Sequence, residues 1–401
     1  MPLLDLAKAL IACPSVTPTT AGVFDVVEAF LVPLGFKATR VTFDEPGTEP
    51  VENLYLRYGT QGRNFCIAGH TDVVPVGDAA AWRVPPSAPE VIDGELYGRG
   101  AEDMKGAVAA FMVAARAFIR GQRPEARGQG QADSGLWPLA SGLSISLLLT
   151  QDEEGIAING TKKMLAYLAE RGERIDACIV GEPTNPTQLG EMAKIGRRGS
   201  IGFELVVEGK QGHVAYPELA DNPVTRIAAM CARLKAEPLD AGTAHFPPSN
   251  LEVTTIDVGN PTSNMIPAKA VAKFNVRFNN LHTSEQIIAW VRARLDPHGA
   301  YTLTHRLTGE AFLTEDANLA ALVVKAVQEV TVRSPTLSTT GGTSDARFIK
   351  DYCPVIEFGA TGRTSHMVDE RVEVATLEGL ARIYERMLAG YFLDPLNTPR
   401  A

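Results

Sequence analysis

Apolar positions along this chain recur with two periods, helical and alternating, and segments of the two kinds take turns. Residues 3–11 and 24–34 carry apolar side chains at helical spacing, the second run closed by Pro33-Leu34-Gly35. Residues 36–43, 53–58 and 64–68 then read as strands, and the last delivers Gly69-His70-Thr71-Asp72 at its end. A Pro- and Gly-rich loop is expected over 75–94, after which Leu96 to Gly100 leads through Asp103 and Gly106 into a helix at 107–119. Residues 143–150 form a strongly apolar buried strand that ends in Gln151-Asp152-Glu153-Glu154-Gly155. A helix over about 156–169 follows, then a strand at 176–180 that ends in Gly181-Glu182-Pro183-Thr184. Strands alternating with helices predict an α/β unit with a central, mostly parallel sheet, whose site lies at the strands' carboxyl ends.

The character changes near Gly199. Strand patterns at 201–208, 251–258 and 270–278, with helices at 222–235 and 284–295, fit a β-α-β-β-α-β order. That order predicts a small two-layer α+β domain inserted into the first. From Phe312 the α/β character resumes: a helix at 317–330, the stretch Gly341-Gly342-Thr343-Ser344-Asp345, a strand at 355–358, a loop holding His366, and a last helix at 374–393. The expected division is therefore 1–198 and 310–401 for the larger domain and 199–309 for the inserted one. Residues 121–142, rich in Gln, Gly, Arg and Ser, read as a surface insertion with no assigned role.

Composition narrows the function. At 401 residues, with 45% apolar and 21% charged residues, the chain is globular and too long for one ordinary core. A net charge of −9 argues against a nucleic-acid partner, though not against a local basic pocket for a small anion. Five scattered cysteines without a C-x-x-C pair read as free thiols of a reducing compartment. The start, Met1-Pro2-Leu3-Leu4-Asp5, lacks the basic and apolar regions of a signal peptide, and no run approaches a bilayer span. A cytoplasmic protein with no membrane partner is expected.

Adjacent glutamates at the end of a buried strand raise one another's pKa unless a cation relieves them. Taken singly, Glu153-Glu154 reads as a solvated loop. Other junctions along the chain carry the same kind of group, and together they assemble His70, Asp103, Glu154, Glu182 and His366. This nitrogen and oxygen set without thiolate suits zinc, with cobalt or manganese as substitutes. Five ligands fit two metals sharing one carboxylate at roughly 3.5–4 Å. Asp72, two residues beyond His70, points to the same side and is expected to accept the other imidazole N–H. Glu153 is left as the general base for water.

These motifs carry a resemblance. Gly69-His70-Thr71-Asp72-Val73-Val74-Pro75, the stretch from Gly98 to Gly106, Asp152-Glu153-Glu154-Gly155 and Gly181-Glu182-Pro183-Thr184 resemble the co-catalytic zinc amidohydrolase and peptidase family. That family includes aminoacylases, acetylornithine deacetylases, carboxypeptidase G and the succinyl-diaminopimelate desuccinylases. The resemblance implies Asp103 as the bridging carboxylate, His70 and Glu182 on one zinc, Glu154 and His366 on the other, and Glu153 as base. It also implies a homodimer formed through the inserted domain, a lid as well as an interface. His213 would reach the partner's site and polarise the scissile carbonyl, and Asn264 would contact substrate. Ser263, where the family often has a second Asn, and Met265 depart from the pattern.

Three further stretches look most like the desuccinylase branch: Gly196-Arg197-Arg198-Gly199-Ser200, Gly212-His213-Val214-Ala215-Tyr216-Pro217 and Thr340 to Phe348. Substrates of that branch carry several carboxylates, which Arg grips through paired hydrogen bonds. Arg197 and Arg277 are the candidates, together with Tyr216 and the Gly342 and Thr343 backbone and hydroxyl donors. The implied reaction releases succinate and diaminopimelate, a step of lysine and diaminopimelate biosynthesis. The competing readings are a deacylase such as acetylornithine deacetylase or aminoacylase, and a metal-binding relative without catalysis.

Overall fold

The computed structural model describes residues 1–121 and 143–393, so the insertion expected at 121–142 falls, but for Gly121, outside the described residues. The chain divides into two compact units. One comprises Met1–Ile195, Thr314–Leu337 and Ser344–Ala401, the other Gly196–Leu313 and Ser338–Thr343.

The first unit is built on an eight-stranded sheet. Its centre runs Leu143–Thr150, Arg63–His70, Ala177–Val180, Val355–Glu357, each pair parallel. All residues of Leu143–Thr150 and Ala177–Val180 are buried, as strands covered on both faces must be. Towards one edge, Val51–Tyr58 and Lys37–Phe43 join antiparallel, and Lys37–Phe43 alternates between exposed and half-buried residues. The sheet is thus mixed at its margins and parallel where it carries the site. The Ala-rich helix Gly106–Gly121 packs against Val374–Leu393 beside it.

Two local expectations change. The helix expected from 156 begins at Thr161. The buried Asp152 carboxylate accepts the N–H groups of Ala157, Ile158 and Asn159 at 3.1, 2.8 and 2.9 Å, and this holds the preceding residues in a loop. The loop expected over 75–94 gives way at its end to a short hairpin, Glu90–Ile92 with Glu95–Tyr97, which pairs with Arg371–Glu373. Three-residue strands are too short to show a period.

The second unit holds a four-stranded antiparallel sheet in the order Asn250–Asp257, Lys269–Phe278, Gly199–Glu208, Thr302–Gly309. Helices Pro223–Lys235 and Ser284–Leu295 cover one face through a core that includes Ile201, Phe203, Leu205, Ile227, Phe274 and Ile287. The closing strand is mostly exposed, with Thr302, Thr304, His305 and Arg306 along it, so no apolar alternation marks it in the sequence.

Candidate metal centre

The four central strands bring their carboxyl ends side by side. His70 ends one strand with Thr150 opposite it in register, so Glu153 and Glu154 emerge next to it. Glu182 follows the neighbouring strand on His70's other side, and His366 lies in the loops after Val355–Glu357. Asp103 sits in the turn that opens helix Gly106–Gly121, where the Asp103–Met104 peptide is cis. Side chains that are remote along the chain meet because parallel strands end on one edge.

Two groups of potential ligands result, His70 with Asp103 and Glu182, and Asp103 with Glu154 and His366, each with its ligand atoms within 4.8 Å of one another. His70 Nε2 lies 3.1 Å from Asp103 Oδ1 and 3.7 Å from Glu182 Oε1. His366 Nε2 lies 2.8 Å from Glu154 Oε1 and 3.4 Å from Asp103 Oδ2. The two oxygens of Asp103 thus face different imidazoles. His366 takes φ 65°, a left-handed backbone that non-glycine residues rarely adopt and that clusters at functional sites.

Asp72 does two things there. Its backbone carbonyl, 2.9 Å from His70 Nδ1, is the nearer partner of the imidazole, while its carboxylate stands at 3.6 Å. The carboxylate accepts the Glu154 N–H at 3.0 Å and so ties the glutamate loop to the His70 strand. Complete burial raises the Asp72 carboxyl to about 7.

Carboxylates crowd two imidazoles at this edge, and the electrostatics asks for a cation. The carboxylates of Asp103 and then Glu154 push His366 up to about 10. His70 also stands well above its ordinary value, because Asp103, Glu182 and Asp72 outweigh the burial that favours its neutral form. Burial opposes charge on Asp103 too, yet hydrogen bonds from His366 and His70 hold its carboxyl far below the usual range. Protons on the imidazoles here meet a demand that divalent cations would meet better, and the oxygen and nitrogen donors suit them. Glu153 is partly buried, and desolvation followed by the Glu182 charge pushes its carboxyl well above the ordinary range. A basic, protonatable carboxylate beside the ligands is what proton transfer to and from substrate requires.

The remaining sequence candidates lie in the second unit. Gly212–His213 pairs with Met265–Ile266, and the Val214 N–H donates to Asn264 O at 3.1 Å, which brings His213, Tyr216 and Asn264 into one exposed hairpin. The His213 and Tyr216 rings are 5.8 Å apart. Arg197 is buried and donates from Nη1 to Thr340 O at 3.2 Å. Gly341, at φ 106°, passes so close that a Cβ there would sit 2.5 Å from Arg197 Nη1. Gly342 and Thr343 follow it with open space at Gly342. Arg277 lies opposite Ser200 and Asn250 in the sheet, and burial followed by the Arg198 charge lowers its pKa. Arg198 donates to the Asn250 side-chain oxygen at 3.1 Å, across the sheet from Arg277.

Sequence reasoning passed over Glu102 and Glu370, both buried carboxylates next to ligand loops. Glu102 stood inside a quoted motif, but its bonding partners lie more than 250 residues away. Nothing local marks it.

Fold and site define a class, the metal-dependent hydrolases of the M20 peptidase type. Residues 66–128 match the family described as Peptidase family M20/M25/M40, and residues 195–302 match the Peptidase dimerisation domain. A metallo-carboxypeptidase of the M20 family from Sulfolobus solfataricus superposes with a TM-score of 0.73 at 16% identity, over 97% of this chain and 98% of that one. At that identity the likeness speaks to the fold. The succinyl-diaminopimelate desuccinylase of Rhodospirillum centenum is 55% identical over 97% of both chains. That of Rhodospirillum rubrum is 52% identical over 98% of this chain and 99% of its own. The chain belongs to the succinyl-diaminopimelate desuccinylase family.

Proposed function

We propose that this chain hydrolyses the succinyl amide of N-succinyl-L,L-2,6-diaminopimelate, giving succinate and L,L-2,6-diaminopimelate in lysine and diaminopimelate biosynthesis. The observation that carries the reading is full-length identity of 52–55% to desuccinylases. The acid-rich carboxyl edge of the sheet supports the metal-dependent chemistry.

In this reading two zinc ions per subunit, replaceable by cobalt or manganese, are held by His70, Asp103 and Glu182 and by Asp103, Glu154 and His366. Bound there, such ions supply Lewis-acid polarisation of the amide and an acidified water. Glu153 takes the proton from the attacking water and returns it to the leaving amine, a role that suits its raised pKa. Asp72 orients His70 through its carbonyl and holds the Glu154 loop through its carboxylate. Arg197 and Arg277, with Tyr216, Asn264, Gly342 and Thr343, hold the substrate's carboxylates and backbone. His213, contributed by a partner subunit, donates to the carbonyl oxygen as charge develops on it. The inserted unit, expected at 199–309, serves as the dimerisation and lid domain between catalytic segments 1–198 and 310–401. The protein acts in the cytoplasm.

The test is turnover of N-succinyl-L,L-diaminopimelate against N-acetylornithine, before and after chelation. Strong, chelator-sensitive preference for the succinyl compound is expected. Preference for acetylornithine would keep the metal chemistry and overturn the substrate. Glu153→Gln should lower kcat by about 10²- to 10⁴-fold with metal content unchanged, and wild-type turnover would remove Glu153 from the base role.

A further inference from the structure

We propose that Glu102 and Glu370 form a reciprocal brace that positions Asp103 and His366 and thereby sets both candidate metal subsites. The proposal rests on the metal-site reading above. Each carboxylate belongs to one ligand loop and spends its oxygens on the other.

Glu102, next to Asp103, accepts the Thr361 hydroxyl at 2.8 Å, the Arg363 N–H at 3.0 Å, the Ser365 hydroxyl at 3.3 Å and the Thr364 N–H. These donors lead directly into His366. Glu370, four residues beyond His366, accepts Arg99 Nη1 at 2.8 Å, the Gly100 N–H at 2.9 Å, and the Glu102 and Asp103 N–H groups at 3.0 Å each. Exposure is 0% for Glu102 and 1% for Glu370. The N–H groups they receive sit in loops or at the start of the helical turn Ala101–Lys105, where no ladder or helix bond satisfies them. Carboxylates are buried at such cost only when fully hydrogen-bonded, and these two are. His366 also needs help to stay at φ 65°, and Glu102 holds the residues immediately before it.

The two braces act on different atoms. Glu102 fixes the loop of His366, which serves one subsite only. Glu370 fixes the backbone N–H of Asp103 itself, whose two oxygens face both subsites.

Calorimetric titration of the metal-stripped full chain with cobalt chloride tests this without any turnover. Wild type should bind in two steps. Glu102→Gln, which keeps size but loses acceptor capacity, should weaken one step by about 10- to 100-fold and leave the other within about threefold. Glu370→Gln should weaken both, and the visible spectrum of bound cobalt should change accordingly. In turnover, kcat should fall in both variants with KM held, which general loosening of the fold would not produce. Two wild-type cobalt steps in both variants, or equal weakening of both steps by Glu102→Gln, would overturn the brace. If Glu102→Gln does not fold, Thr361→Val with Ser365→Ala removes two donors instead: a weakened single step supports the brace, and two unchanged steps overturn it. A wild-type chain that binds two cobalt ions but cleaves no succinyl amide would overturn the functional reading alone.

Discussion

Arg197 shows how much one glycine can matter to a charged neighbour. Its guanidinium occupies the space beside Gly341 that a side chain would need, and Gly341 is also left-handed at φ 106°. Gly341→Ala should therefore disturb the guanidinium as well as the turn. If Arg197 holds a substrate carboxylate, Arg197→Lys should raise KM for the succinyl substrate by about 10- to 100-fold, the worth of a charged hydrogen bond, with a smaller loss in kcat. Gly341→Ala should move KM in the same direction. Steady-state kinetics of both variants checks this, and an unchanged KM in Arg197→Lys would remove that residue from substrate binding. Arg197 was legible as a candidate because the stretch Gly196 to Ser200 resembles the desuccinylase branch, whose substrates carry carboxylates that Arg grips. Its packing on Gly341 was not, since the two lie far apart in the chain.

Some connections between elements are held by one device, a carboxylate receiving scattered N–H groups. Asp152 does so for the turn after the central strand. Asp240 does so in the second unit, receiving the Gly242 and Ser249 N–H groups at 2.8 and 3.1 Å and the Asn279 amide at 2.7 Å, with His282 Nε2 at 3.0 Å. Burial works against charge on Asp240, but the bonds from Ser249, Gly242 and Asn279 outweigh it and hold its carboxyl below the usual range. A carboxyl with a depressed folded-state pKa contributes stability above its unfolded value near 3.9 and loses it as the pH falls through the folded value. Asp240→Asn should cost about 1–3 kcal/mol at neutral pH. The gap in melting temperature between wild type and variant should narrow on acidification below about pH 4, and a gap constant from pH 7 to pH 3 would contradict the assignment. The helix start at Thr161 and the hairpin at Glu90–Tyr97 both escaped sequence reading. The first limit is set by the Asp152 carboxylate, which holds residues 157–159 out of a helix, and the second by strands of three residues, too short to show apolar spacing.

For the whole protein, the matched dimerisation domain makes subunit exchange a decisive measurement. If His213 serves the partner's site, mixing Glu153→Gln dimers with His213→Ala dimers should restore activity as subunits exchange, because each mixed dimer then contains one complete site. No recovery, or a monomeric mass in solution, would place His213 elsewhere. No helix among the described residues is long and apolar enough to cross a membrane. By itself the sequence determined the α/β character and the parallel core, and it singled out His70, Asp103, Glu154, Glu182 and His366 as the candidate set that the structure brings together. His70, Glu154 and Glu182 were marked by apolar runs that end in a polar group, and parallel strands place such ends on one edge; Asp103 and His366 come from loops. Only the tertiary structure decided which oxygen of Asp103 faces which imidazole, that Asp72 reaches His70 by its carbonyl, and that Glu102 and Glu370 brace each other's loops. Those bonds join residues as far apart as 271 positions, and an N–H group in a loop leaves no trace in sequence of the acceptor that will satisfy it.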